Sequence, residues 1–390
     1  HDWRAAALQL RAGLRHIPDD LQARRTLAEL YVAARRPLQA RSILTDGLAY
    51  ADKAPLYVRD TLNFLLSREE DSAVAVIASH RLKAFAPAPE TLAAYRMAAA
   101  SASFFRGHFD EAESWLASPG MSFTAARLLQ ARIEWERGYR DLALTELSAR
   151  LADEPADDEV YDTLVRYLRE EHKFEVIRQL SLARQIARPG QVRPKIDYLS
   201  ACEKLSDGPR AHREIARLLR ECASSADTSA ALAGYAAQTG NLALARAVAK
   251  QTRAADPWSP AAVAFVETLI AAQEFKPALT EIARQDKEHA HAGAPRRALS
   301  EGLQAVAYAG ANDLAAAQLH LAAFLDSPQL RAEVLVAVSA HLIAANATAL
   351  ARQTLQSALQ RDPLNQAALV QLLHLDIAQK NYGALCEHLR

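Results

Sequence analysis

Acidic residues cluster at several points in this sequence. Glu69-Glu70-Asp71 and Asp157-Asp158-Glu159 are the densest runs, with Asp19-Asp20 and Glu154 as smaller examples. Paired carboxylates perform general acid–base work only when a cleft holds them against a substrate. Here they fall where helices begin, so helix capping is their expected role. His289 and His291 form a His-x-His pair beside Glu288, but a metal centre needs further ligands that this segment lacks. The twelve histidines are otherwise scattered. There is no glycine-rich phosphate loop, no Cys-x-x-Cys, no His-Glu-x-x-His and no nucleophile elbow. Of the three cysteines, Cys202 falls midway along one helix and Cys222 near the end of the next, while Cys386 lies at the terminus. An antiparallel hairpin holds the first two apart, so no bond between them is expected. The chain therefore reads as non-catalytic, with no metal and no cofactor.

The elements that position these residues follow from a period. Ala6, Ala40, Ala73, Ala112, Ala143, Ile177, Ala211, Ala245, Ala278, Ala317 and Ala351 recur at steps of 34, 33, 39, 31, 34, 34, 34, 33, 39 and 34 residues. A fixed step near 34 predicts a stacked array of helix pairs. Other positions keep the same register. Small residues precede the anchor by twelve at Ala28, Ala100, Ala131, Ala233, Ala305 and Ser339. Glycine precedes it by five at Gly107, Gly138 and Gly240, and proline follows it by twelve at Pro18, Pro155, Pro257 and Pro363. The mechanical reasons are clear in the unit spanning 226–259. Ala233 and Ala245 let two helices approach closely. Gly240 ends the first helix, and Pro257 stops the second.

This pattern resembles the tetratricopeptide repeat (TPR) family along essentially the whole chain. The departures are specific. The Trp near the start of each unit is missing, and the first-helix Tyr survives at Tyr31 and Tyr308 but is Leu168, Cys202, Ala236 and Leu342 elsewhere. The resemblance implies an all-α, right-handed superhelical solenoid of antiparallel helix pairs, with about ten complete repeats plus partial ones at each end. It also implies that the first helix of each pair lines a concave groove. Counting back from the anchors, the middle of that groove presents Arg132, Trp135 and Glu136, then Glu159, Asp162, Arg166, Arg169 and Glu170, then Arg193, Glu203 and Lys204. Later units present Val263, Ile270, Val306, Val336, Ile343, Val370 and Ile377. The inner face thus changes from charged to apolar. Arg166, Arg169 and Arg193 suit a carboxylate or an acidic peptide. The apolar stretch suits an amphipathic helix, or else is buried, either by tighter coiling or by neighbouring helices. TPR domains that grip chaperone tails use Lys and Asn at successive inward positions. Arg25 and Glu29 begin no such pattern, so that ligand is not carried over.

The bulk properties bound the rest. Lys plus Arg and Asp plus Glu balance at 46 each over 390 residues, which gives no general pull toward nucleic acid or anionic membrane. The longest apolar stretch, 261–272, contains Glu267 and is too short to span a bilayer. Residues 1–390 read as one continuous array and as a segment of a longer protein: 1–18 fits a second helix without its first, and 366–390 a first helix plus the beginning of a second, with an anchor at Ala384 or Leu385. The two 39-residue steps place bends or loop insertions at 85–90, through Phe85-Ala86-Pro87-Ala88-Pro89, and at 287–296. The Ala, Arg and Leu bias is that of a GC-rich bacterial genome, and the segment reads as soluble, cytoplasmic or periplasmic. The expected function is a protein–protein interaction scaffold with a protein or peptide in its groove. The alternatives are a bacterial envelope or export scaffold acting as a rigid spacer, and an accessory domain of a larger enzyme or regulator.

Overall fold

The computed structural model describes residues 3–84, 88–121, 123–252, 260–288, 293–363 and 365–380. Every regular element among them is a helix. They group into two compact units, His1–Leu168 and Arg169–Arg390. Unit 1 holds α1 (Trp3–His16), α2 (Leu21–Ala33), α3 (Pro37–Gly47), α4 (Pro55–Leu66), α5 (Asp71–Ala84), α6 (Pro89–Phe105), α7 (Phe109–Leu116), α8 (Thr124–Glu136), α9 (Arg140–Asp153) and most of α10 (Asp158–Glu170). Unit 2 holds α11 (Phe174–Ala187), α12 (Arg193–Lys204), α13 (Gly208–Cys222), α14 (Ala226–Thr239), α15 (Leu242–Thr252), α16 (Pro260–Ala271), α17 (Phe275–Glu288), α18 (Ala294–Gly310), α19 (Leu314–Leu325), α20 (Ala332–Ala344), α21 (Thr348–Arg361) and α22 (Gln366–Ala378). The division falls inside α10, at neither of the two long steps. Residues 85–87, 289–292 and the terminal anchor at Ala384 or Leu385 lie outside the described residues, as do Pro257 and Cys386.

Within each unit the helices pack as hairpins in chain order, such as α2 with α3, α6 with α7, α14 with α15 and α18 with α19. Each hairpin then leans on the next, as α5 does on α6 and α17 on α18. The repeat has a simple local cause. In every odd-numbered helix from α3 to α21 the fourth residue is the anchor, and it is 0–4% exposed. These anchors are Ala40, Val74, Ala112, Ala143, Ile177, Ala211, Ala245, Ala278, Ala317 and Ala351. Two sequence assignments shift by one residue. Ala7 and Val74 are buried where Ala6 and Ala73 were expected, and the latter two are only half-buried. The preceding small positions Ala28, Ala100, Ala131, Ala233, Ala305 and Ser339 are all 0–3% exposed. Small side chains at both positions let the paired backbones come close.

The turn inside each hairpin is equally regular. Five residues before each anchor the backbone is left-handed, at Arg35, Glu69, Gly107, Gly138, His172, Ser206, Gly240, Gln273, Asn312 and Asn346, with φ between 55° and 86°. The next residue's N–H then reaches back across the turn, as in Asn241 N to Ala236 O at 2.9 Å and Glu274 N to Leu269 O at 2.9 Å. That six-residue bond satisfies a carbonyl the helix end would leave orphaned. Only three of these turns use glycine, so most carry a steric cost of about 1 kcal/mol at a residue with a Cβ. Gln273 is exposed, at φ 61°. Gln273→Gly is accordingly expected to stabilise unit 2 by about 0.5–1 kcal/mol, because relief of the left-handed strain exceeds the entropy glycine adds to the unfolded chain. Urea denaturation of the two proteins side by side measures it.

In unit 2 the buried apolar residues form one continuous seam from Leu199 to Leu375. Unit 1 carries separate clusters, one through Ala7, Leu27, Tyr31 and Ala40, another through Tyr57, Leu62, Tyr95 and Ala102. No helix among the described residues is long and apolar enough to cross a membrane.

Candidate functional site

The acidic runs are built into helix ends. Asp157 Oδ1 accepts from Glu159 N and Val160 N, both at 3.1 Å, at the start of α10. Asp20 Oδ1 accepts from Ala23 N at 2.8 Å at the start of α2. Glu70, just before α5, pairs with Arg41 at 2.9 Å. Glu154 departs from the expectation: it follows the end of α9 and pairs with Arg150 one turn earlier at 2.8 Å. There a carboxylate opposes the helix dipole, and the arginine offsets that.

Cys202 and Cys222 are buried free thiols. Burial raises the Cys202 thiol above its ordinary range and pushes Cys222 to about 11, so neither is a ready thiolate. Among the described residues no three His, Cys, Asp or Glu side chains converge as a metal site would require. The His289–His291 pair lies outside them.

Half of the charged inner residues make interactions inside the fold. Asp197 on α12 is only 2% exposed. Arg169 Nη2 reaches its Oδ1 at 3.0 Å, and Arg193 Nε its Oδ2 at 3.4 Å. The two arginines expected to hold a ligand carboxylate therefore hold one of the chain's own. Arg166, in unit 1, lies over the Tyr167 ring at 5.0 Å. Trp135 is a correction: it is 7% exposed and stacks flat on Tyr167, with ring centroids 3.9 Å apart and 2° between planes. Arg140 also lies over the Trp135 ring, at 5.3 Å. Stacked aromatics capped by guanidinium groups form a stable brace between α8 and α10. Arg132 makes a similar contact with Phe104 at 4.8 Å and with Phe105 at 5.8 Å. Burial raises the Tyr167 phenol above its usual range, against the pull of Arg166 and Arg132. Glu203 accepts the Tyr235 hydroxyl, and burial together with that carboxylate pushes the phenol up. Glu136, Glu159, Asp162, Glu170 and Lys204 are exposed.

The apolar inner stretch is closed in its middle. Val306, Ile270 and Val336 are 0%, 4% and 9% exposed, which removes them from the groove-lining set. Val263 and Ile343 are half-buried. The cause is packing among the first helices themselves. α16 touches both α18 and α20, and His341 on α20 stands 3.7 Å from Glu267 on α16. A first helix that reaches the next but one leaves no trough between them. Only Val370 and Ile377 on α22 remain open, at 48% and 54%.

An open apolar groove does exist, but in unit 1, lined by residues that the sequence analysis did not assign to the groove. It crosses α4, α6 and the start of α8 and encloses about 540 Å³. Leu56, Met97 and Phe123 line it, with Arg59, Asn63 and Glu90 among its polar residues. Leu56 is 59% exposed and Phe123 39%. The sequence signal was available. Both are large apolar residues at helix starts, Leu56 just after Pro55 and Phe123 just before Thr124, away from the anchor and small positions that the repeat buries.

No family model matches this chain, and no curated protein does. Among solved structures, an APC/C heterotetramer of Cut9 and Hcn1 aligns over 99% of this chain and 82% of its own, at 13% identity and a TM-score of 0.32. A structure of Naa15/Naa10 bound to HypK-THB aligns over 99% and 67%, at 14% identity and a TM-score of 0.34. A tetratricopeptide repeat protein from Parabacteroides merdae aligns over 64% and 97%, at 15% identity and a TM-score of 0.35. The recurring period, the fourth-residue anchor and the left-handed hairpin turn come from this chain's own sequence and backbone. They define its fold as an all-α, tetratricopeptide-like array of helix hairpins.

Proposed function

We propose that the chain is a non-catalytic scaffold that binds a partner protein or peptide along the first-helix face of unit 1. The observation that carries this reading is the apolar groove over α4, α6 and α8, along which the large apolar residues Leu56 and Phe123 are exposed. A concave apolar site with a few polar groups at its edge is the usual form of a recognition surface. The balance of 46 positive and 46 negative side chains favours a protein over a polyanion. Acids committed to helix ends and thiols held neutral by burial support a binding role over a chemical one.

Two substitutions test the groove without disturbing the fold. Leu56→Glu places an acid in the first turn of α4, where the dipole favours it. Phe123→Ser supplies a capping hydroxyl before α8, which has no side-chain cap. The double variant is expected to keep its melting temperature and to retain about tenfold less partner in affinity capture, as loss of buried interface anchors does. Leu142→Glu, on an exposed site of α9, serves as the control. Equal retention by the wild type, the groove variant and the control would refute the assignment.

A further inference from the structure

Unit 2 carries an exposed face without charge. α19 contains no Asp, Glu, Lys or Arg, and its one histidine, His320, is bonded to Glu301 and stacked on Tyr308. Leu314 and Leu319 are 59% and 71% exposed, with Ala315, Gln318, Ala322 and Ala323 exposed beside them. Their alternating steps of one and three residues put all six on one side of the helix. α21 touches α19. Its two arginines are engaged elsewhere, Arg352 by Asp376 and Gln379, and Arg361 by the Leu325 and Leu330 carbonyls. What α21 exposes instead is Ala349 with Gln353, Gln356 and Gln360. The second helices before these two differ. Asp141 on α9, Glu175 on α11, Arg213 on α13, Arg246 on α15 and Lys276 on α17 are all exposed charges.

The chemistry of this face selects its occupant. In a two-fold contact a patch meets its own copy, so a charge near the axis meets a like charge and is repelled. A face of Leu, Ala and Gln escapes that repulsion. Its polar groups are also self-complementary, because an amide both donates and accepts and can bond to its own counterpart, as two lysines or two glutamates cannot. A partner of either charge would find nothing here to pair with. We infer that α19 and α21 form a two-fold contact with a second copy of this chain, α19 lying antiparallel to α19. With the axis between Gln318 and Leu319, Ala315 comes against Ala322 of the second copy. Two small residues there let the helices close up, as they do inside each hairpin. Leu319 and Gln318 each meet their own counterparts beside the axis. α19 and α21 have 12 and 14 residues. Two such helices side by side cover on the order of 400 Å², about half of what each side of a standard interface buries. The dimer is therefore a weak one. This face shares no residue with the unit 1 groove, so either assignment can fail alone.

The test is sedimentation velocity of the full chain in reducing buffer. The wild type is expected to pass from monomer to dimer between about 1 and 200 μM, the range of a small interface. Leu319→Glu and Leu319→Lys are each expected to weaken the dimer about tenfold or more, because the axis sets like charges side by side. Mixed in equal amounts, the two variants are expected to dimerise again, since opposite charges then meet at the axis. Leu142→Glu, on an exposed site of α9, is expected to behave as the wild type does. Leu319 is 71% exposed, so both substitutions should leave the fold intact, and circular dichroism melts check that. The assignment is overturned if the wild type stays monomeric throughout, if either folded Leu319 variant dimerises as well as the wild type, or if the mixture remains monomeric. A monomeric wild type that floats with phosphatidylcholine vesicles overturns it in favour of a lipid surface.

Discussion

Phe324→Ala is expected to cost unit 2 about 3–5 kcal/mol, the range for deleting a fully buried aromatic ring. Phe324 is 0% exposed at the end of α19. Its ring lies against Gly302 of α18, where an added Cβ would come within 3.0 Å of it, and the same point is 3.2 Å from Val338 of α20. One side chain thus fills the junction of three helices, and alanine would leave a cavity that those helices cannot collapse onto without moving. Because each hairpin packs on its neighbours, the damage should be local. Hydrogen exchange is expected to show lost protection in α18 to α21, with the hairpins of unit 1 unchanged. Uniform loss across both units would mean that the array behaves as one cooperative block.

Arg169→Ala combined with Arg193→Ala is expected to cost about 3 kcal/mol, since it takes two cations away from the buried Asp197 carboxylate. The figure sits at the low end of the range for broken buried pairs because the two arginine side chains are themselves 44% and 59% exposed. Asp197→Asn is expected to cost much less, because both guanidinium groups can then turn to water. The asymmetry, read from chemical denaturation midpoints, distinguishes an internal brace from a ligand site. If the double alanine variant is as stable as the wild type, these arginines are free for a ligand and the original reading of the central groove returns. For the same reason, a charge reversal at Arg169 would report on folding as much as on binding.

The fold was readable because its determinants are local. A small or slender residue fourth in a helix, a small partner twelve residues earlier and a turn five residues earlier all lie within one hairpin. The two register errors, at Ala6 and Ala73, arose where alanines adjoin the true anchor or where valine takes its place. Glycine marks too few turns to correct them: Glu69 occupies the left-handed position before Val74, and nothing in its side chain announces it. The site was less readable for a different reason. Whether Val306 or Ile270 faces solvent depends on how α16, α18 and α20 curl together, and helical periodicity within one unit carries no information on that. Arg193 to Asp197 was visible as a one-turn pair, whereas Arg169 reaches the same carboxylate across 28 residues.

Contacts that run mainly between neighbouring hairpins have a mechanical corollary. Within a unit, few bonds tie distant hairpins to one another, so a load applied along the stack is borne in series, interface by interface. Such a body stretches and recoils as a spring whose give is set by its softest coil, and under rising tension it should yield in steps of one hairpin instead of rupturing at once.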